Sequence, residues 1–133
     1  MILVDTSVWS LALRRKGDVD APHVLELRQL IGEGRAAIIG AIRQELLSGV
    51  KSSEQFALLK KRLADFPDVP TVTPDYEAAA ECFNRCRERG VQGSNTDFLI
   101  CAMSASRRMP VLTSDRDFTA FARILPFKLH ALR

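Results

Sequence analysis

Four acids in this chain occupy places where carboxylates can do chemistry. Asp5 ends the apolar run Ile2-Leu3-Val4, Asp115 ends the run Pro110-Val111-Leu112-Thr113, and Asp97 opens an apolar helical stretch. Glu45 lies about one turn into the helical stretch that follows the second apolar run, Ala36 to Ile39. In open α/β sheets, ligands gather beyond the carboxyl ends of the strands. All four acids therefore have a route to one sheet edge, although they are far apart in sequence. Converging carboxylates repel one another and raise each other's pKa values unless a cation intervenes. A hard divalent ion with oxygen ligands meets that need, and Mg²⁺ keeps several waters beside one or two carboxylates. Such an ion activates a bound water and clamps phosphate oxygens. Acids surrounded by Arg and Lys thus point to metal-dependent hydrolysis of phosphodiesters. Each acid also has a plainer reading: Asp115 can cap the last helix, Glu45 can be a surface residue, and an acid at a helix start complements the dipole.

The elements that must position these acids alternate. A strand at 2–4 leads to a helix opened by Thr6-Ser7, running through Val8, Trp9, Leu11 and Leu13 and broken at Gly17-Asp18. Asp20 is the expected cap of the next helix, with Pro22 in its first turn and Val24, Leu27, Leu30 and Ile31 at helical spacing. Gly32 and Gly34 stop it. After the strand at 36–39, Gly40-Ala41 enters a helix that ends near Gly49, and Ser52 with Gln55 forms a capping box for a fourth helix reaching Leu63. A third strand is expected at 69–73. Thr73-Pro74 then starts a helix ending at Gly90. The Asp97 helix, capped by Asn95 or Thr96, runs to about Arg107-Arg108. A fourth strand at 110–113, a short helix at 118–124 and an edge strand at 127–132 complete the chain. This alternation implies a parallel sheet with helices on both faces, in one domain spanning 1–133.

Composition narrows the field. The 133 residues are 47% hydrophobic and 26% charged, which suits a soluble globular chain, and no apolar run is long enough to span a membrane. The start lacks the pattern of a signal peptide, so the expected address is the cytoplasm. The net charge of +3 suits an anionic partner. Basic clusters at Arg14-Arg15-Lys16, Lys60-Lys61-Arg62, Arg85/Arg87/Arg89 and Arg107-Arg108 could hold a phosphate backbone or simply solvate helix ends. Cys82, Cys86 and Cys101 fall on apolar helical stretches and read as small buried hydrophobes rather than a metal or redox set. His23 and His130 neighbour no nucleophile, and there is no glycine-rich phosphate loop.

At Val4-Asp5-Thr6-Ser7-Val8-Trp9, at Glu45 with Gly49, at Asp97-Phe98-Leu99-Ile100-Cys101-Ala102 and at Leu112-Thr113-Ser114-Asp115-Arg116-Asp117-Phe118, the sequence resembles the PIN-domain ribonucleases. Within them it is similar to the toxins of VapBC toxin–antitoxin pairs, over essentially its whole length. The resemblance implies a three-layer α/β/α sandwich around a central parallel sheet and a Mg²⁺- or Mn²⁺-dependent endoribonuclease. It maps Asp5 and Asp97 onto the principal metal ligands and Glu45 and Asp115 onto the remaining acids. Asp117 is a further candidate ligand, or only a first-turn helix acid. Thr6, Ser7 and Thr113 map onto supporting hydroxyls, although Thr6 and Ser7 could equally be helix caps. Trp9 reads as core packing before it reads as a stacking surface. The resemblance also implies a homodimer, a cognate VapB-like antitoxin and a structured RNA substrate such as tRNA or rRNA. Two other readings stay open: a non-catalytic RNA-binding PIN domain, and a phospho-acceptor domain of receiver type, which wants a lysine near the last strand where none occurs before Lys128.

Overall fold

The computed structural model describes residues 1–13 and 21–133. The cluster Arg14-Arg15-Lys16, the break at Gly17-Asp18 and the Asp20 cap lie outside the described residues. Ile2–Val4 forms β1, every residue of it buried, and it is the central strand of a parallel three-stranded sheet ordered β2-β1-β3. Its partners are Ala36–Ala37 (β2) and Val111–Leu112 (β3). The register pairs Leu3 with Ala37 on one side and with Val111 on the other. A central strand covered on both faces has no solvent side, which explains a continuous apolar run rather than an alternating one.

Seven helices are described: Thr6–Leu13 (α1), Pro22–Gly32 (α2), Gly40–Leu47 (α3), Ser53–Leu63 (α4), Thr73–Glu88 (α5), Asn95–Arg107 (α6) and Asp117–Ile124 (α7). In α2, Val24, Leu27 and Leu30 are buried at the expected spacing. Ser52 caps α4 by accepting from the Gln55 N–H at 3.3 Å. The stop after α5 is real: Gly90 adopts φ +75°, a conformation that a side chain would penalise. Helix α6 is buried continuously from Phe98 to Ser104, so it runs through the core rather than along its surface. It packs mainly on α5, and Phe98 meets Phe83 and Phe121 at ring-centroid distances of 5.5 and 4.9 Å.

Two expected strands are reduced to single bridges. The stretch 69–73 contributes only the parallel bridge Ile38↔Asp68, closed by the Val69 N–H on the Ile38 carbonyl at 2.9 Å. Pro70 follows at once and has no N–H to extend a ladder. The stretch 127–132 contributes only Val111↔Leu129. Pro110 and Pro126 each remove a donor near this edge, and β3 is itself two residues long. Two backbone bonds hold the tail there, Val111 N–H to the Lys128 carbonyl at 2.9 Å and His130 N–H to the Val111 carbonyl at 2.8 Å, and side chains add to them. Buried Glu26 on α2 meets His130 Nε2 at 2.7 Å and accepts from Arg133 Nε at 3.0 Å. Burial alone would raise the Glu26 carboxyl, but these partners hold it below the ordinary range.

Caps also differ. Helix α6 is capped by Ser94, not by Asn95 or Thr96. Helix α5 begins at Thr73, and Asp75 accepts from the Val72 N–H at 2.9 Å. Arg107 then grips both oxygens of Asp75 at 2.9 and 2.8 Å and donates to the Pro70 carbonyl at 2.9 Å. That contact ties the end of α6 to the start of α5, so Arg107 serves the fold rather than a phosphate.

Candidate active site

Asp5 is placed by the sheet. Its N–H bonds the Leu112 carbonyl at 2.9 Å, continuing the β1–β3 pairing one residue past the strand. Its side chain turns inward and is only 4% exposed. Oδ2 accepts from the hydroxyls of Ser7 and Thr113, each at 2.8 Å. Both hydroxyl hydrogens point at the carboxylate, so the Ser7 and Thr113 oxygens, 3.3 Å apart, keep lone pairs for backbone donors. The Ser114 N–H takes Ser7 Oγ at 3.1 Å and the Asp115 N–H takes Thr113 Oγ1 at 3.0 Å. Five residues from two ends of the chain, Asp5, Ser7, Thr113, Ser114 and Asp115, are thus tied together through the Ser7 and Thr113 hydroxyls.

Asp97 is the third residue of α6. Its N–H donates to Ser94 Oγ at 3.0 Å, while its own Oδ2 accepts from the Ser94 N–H at 3.0 Å. This reciprocal box leaves Oδ1 with no partner among the described residues. The sequence carried the signal: Ser94-Asn95-Thr96-Asp97 fits the box spacing, and Ser94 is the residue that holds Asp97, in place of the expected Asn95 or Thr96. Gly93 sets the approach. A Cβ there would fall 2.6 Å from the Phe121 ring and 3.1 Å from the Phe98 ring, so only glycine lets the loop lie flat on the core and deliver Asp97.

Burial pushes the carboxyls of Asp5 and Asp97 above the usual carboxylate range. Hydrogen bonds oppose the shift at both, while the negative charges of Asp5 and Asp115 add to it at Asp97. Three of the predicted acids are therefore close enough to repel. Glu45 is exposed on α3 and accepts from the Thr6 hydroxyl at 2.6 Å, which fixes it beside the start of α1. Asp115 is half-buried, and one of its oxygens accepts from the Asp117 N–H at 2.9 Å, so it satisfies the first N–H of α7 from one residue before the Arg116 N-cap. Asp117 is exposed in the first turn of that helix.

Among the described residues, no three His, Cys, Asp or Glu side chains are drawn together tightly enough to enclose an ion by themselves. The donor set is nonetheless one that a hard cation favours. It offers carboxylate oxygens, those of Asp5 and Asp97 penalised by burial when charged and Asp97 further by the charges of Asp5 and Asp115. The other candidates fall away. Trp9 is 2% exposed, donates to the Val4 carbonyl at 3.0 Å and stacks edge-on with Phe66, so it belongs to the core. Burial raises the thiols of Cys82, Cys86 and Cys101, and all three are free.

Known proteins place this geometry in a family. The PIN domain profile matches residues 2–124. The VapC ribonuclease Mb1587 of Mycobacterium bovis and ribonuclease VapC11 of Mycobacterium tuberculosis are each 30% identical over 137 residues, covering 100% of this chain and of the relative. Among solved structures, FitAcB from Neisseria gonorrhoeae superposes with a TM-score of 0.75 at 20% identity, covering 98% of this chain and 97% of that one. VapBC2 from Rickettsia felis, bound to a DNA fragment from the promoter, gives 0.76 at 19% identity, covering 98% of both chains. The expected three-layer sandwich is thus the observed fold, and the chain is a VapC-like member of the PIN domain family.

Proposed function

We propose that this protein is the ribonuclease toxin of a VapBC-type pair, cutting RNA phosphodiester bonds with water in a Mg²⁺- or Mn²⁺-dependent reaction. The observation that carries the reading is the buried, hydroxyl-clamped Asp5 whose charge is felt by Asp97. The whole-length relatives named as VapC ribonucleases support it. Asp5 and Asp97 are the principal ligands, Glu45 and Asp115 complete the acidic wall, and Asp117 is a further ligand candidate. When bound, the ion supplies positive charge to a phosphate oxygen and lowers the pKa of a water. The chain's own residues do the positioning. Ser7 and Thr113 orient Asp5, Ser94 orients Asp97, and Thr6 aims Glu45. The acids would accept the proton released as water attacks phosphorus; the P–O3′ bond would break and the departing 3′ oxygen would take a proton from solvent, leaving 5′-phosphate and 3′-hydroxyl ends.

A VapB-like antitoxin and a homodimeric assembly belong to the same proposal, as do a tRNA or rRNA substrate and a cytoplasmic site of action. Complexes of FitAcB and VapBC2 share the fold, which supports the antitoxin partner. No helix among the described residues is long and apolar enough to cross a membrane. The test is cleavage of RNA with Mg²⁺ or Mn²⁺, with chelator and with Asp5→Asn and Asp97→Asn. Cleavage by the wild type alone, stopped by chelator, is expected. A wild type that binds RNA without cutting it in any divalent metal favours the non-catalytic reading instead.

A further inference from the structure

A cavity of about 680 Å³ opens between the first turns of α3 and α6 and the start of α5, bounded by Gln44, Tyr76, Asn95, Thr96 and Leu99. That size lies within the usual range for a small-ligand site. Asp5, Glu45, Asp97 and Asp115 do not line it, but three of its lining residues adjoin them in sequence on the same helices: Gln44 precedes Glu45, and Asn95 and Thr96 precede Asp97. Tyr76 is 59% exposed, so a face of its ring is open to a ligand. The side-chain amides of Gln44 and Asn95 make no hydrogen bond among the described residues, leaving donors and acceptors on both. Among the described residues, no Lys, Arg or His lines the cavity, and the one carboxylate there, Asp68, is paired with Arg43 at 3.0 Å.

This lining does not suit a phosphate, which wants cations or clustered N–H donors. It does suit a flat heterocycle with hydrogen-bonding edges. Single-stranded RNA is read by stacking unpaired bases on aromatic rings and bonding their edges to polar side chains, side-chain amides among them. We propose that the Tyr76 cavity is a nucleobase subsite, holding the base next to the cleaved phosphodiester, with Tyr76 stacking and Gln44 and Asn95 reading its edge. The proposal rests on the ribonuclease reading above and adds where sequence preference arises.

The test uses the full chain, with a fluorescein-labelled single-stranded RNA titrated in chelator and followed by anisotropy. Tyr76→Ala is expected to weaken binding about tenfold, since stacking of one base contributes on that order. Tyr76→Phe, which keeps the ring, restores it. With metal present, Gln44→Ala and Asn95→Ala shift the nucleotide preference beside the cut in a randomised RNA pool. Sedimentation of each variant reports its mass. Binding by Tyr76→Ala equal to wild type, while wild type still cuts RNA, overturns the subsite and leaves the nuclease reading standing. A Tyr76→Ala protein of lower mass makes this face a contact between copies and also overturns it. A wild type that neither binds nor cuts RNA removes the nuclease reading and the subsite together.

Discussion

Replacing Asp97 by Asn removes one charge and almost nothing else. The amide oxygen can still accept from the Ser94 N–H, and the Asp97 backbone donor to Ser94 Oγ is untouched. The weaker acceptor costs about 0.5–1 kcal/mol, as for a lost cap interaction. Against this, the variant is relieved of a carboxylate that burial, Asp5 and Asp115 all disfavour when charged. The two effects oppose each other, so in chelator at neutral pH the melting temperature of Asp97→Asn should lie within a few degrees of wild type. Metal separates them. A ligand at about 100 times its Kd stabilises the native state by about 2.7 kcal/mol. For a chain of 133 residues that is a rise on the order of 10 °C. Loss of even a supporting partner of a metal ligand costs about 10–100-fold in affinity, and loss of a ligand costs at least the upper figure. The same Mn²⁺ concentration then sits near the variant's Kd, leaving about 0.4 kcal/mol and a shift of about 2 °C. Thermal melts of both proteins in chelator and across a Mn²⁺ series decide the matter. Equal Mn²⁺ shifts would refute the ligand assignment, and a metal-free variant more than about 2 kcal/mol less stable would refute the claim that only charge was removed.

The remaining predictions concern the supports of the site and the fold. Asp5 and Asp97 are raised when folded, so their protons stabilise the native state below the unfolded carboxylate pKa of about 4. That contribution is lost as pH rises through the folded values. Metal-free wild type should therefore lose stability relative to an Asp5→Asn/Asp97→Asn protein across this window, as read by denaturant melts at several pH values. Thr113→Val removes one of the two hydroxyls on Asp5 and should weaken Mn²⁺ binding about 10–100-fold, measured by calorimetry, with the fold intact by circular dichroism. Gly93→Ala must displace the Phe121 or Phe98 ring and should cost about 1–3 kcal/mol in urea unfolding. Asp75→Ala strands Arg107 and removes the acceptor for the Val72 N–H, for about 1–3 kcal/mol by the same assay. Asp75 is held below its ordinary range, chiefly by Arg107, so its contribution should disappear as pH falls through that depressed value.

Local chemistry along the chain was enough to locate most of the elements and the acids. The buried run before Asp5, the helical spacing of Val24, Leu27 and Leu30, and the glycine stop at Gly90 each follow from residue type and period, which act over a few neighbours. So do the positions of Asp5, Asp97 and Asp115 at strand or helix ends. Sheet membership was less legible. Residues 69–73 and 127–132 carry strand-like composition, yet prolines at 70, 110 and 126 limit them to single bridges, and pairing depends on partners far away in sequence. The basic cluster at 107–108 illustrates the same limit, since only packing of α6 on α5 commits Arg107 to Asp75. Pairing of β1 with β3 is what sets Ser7 and Thr113, 106 residues apart, around one carboxylate. Charge repulsion between Asp5, Asp97 and Asp115 is likewise a property of distance through space, so the acids could be named from sequence while their coupling had to come from the tertiary fold.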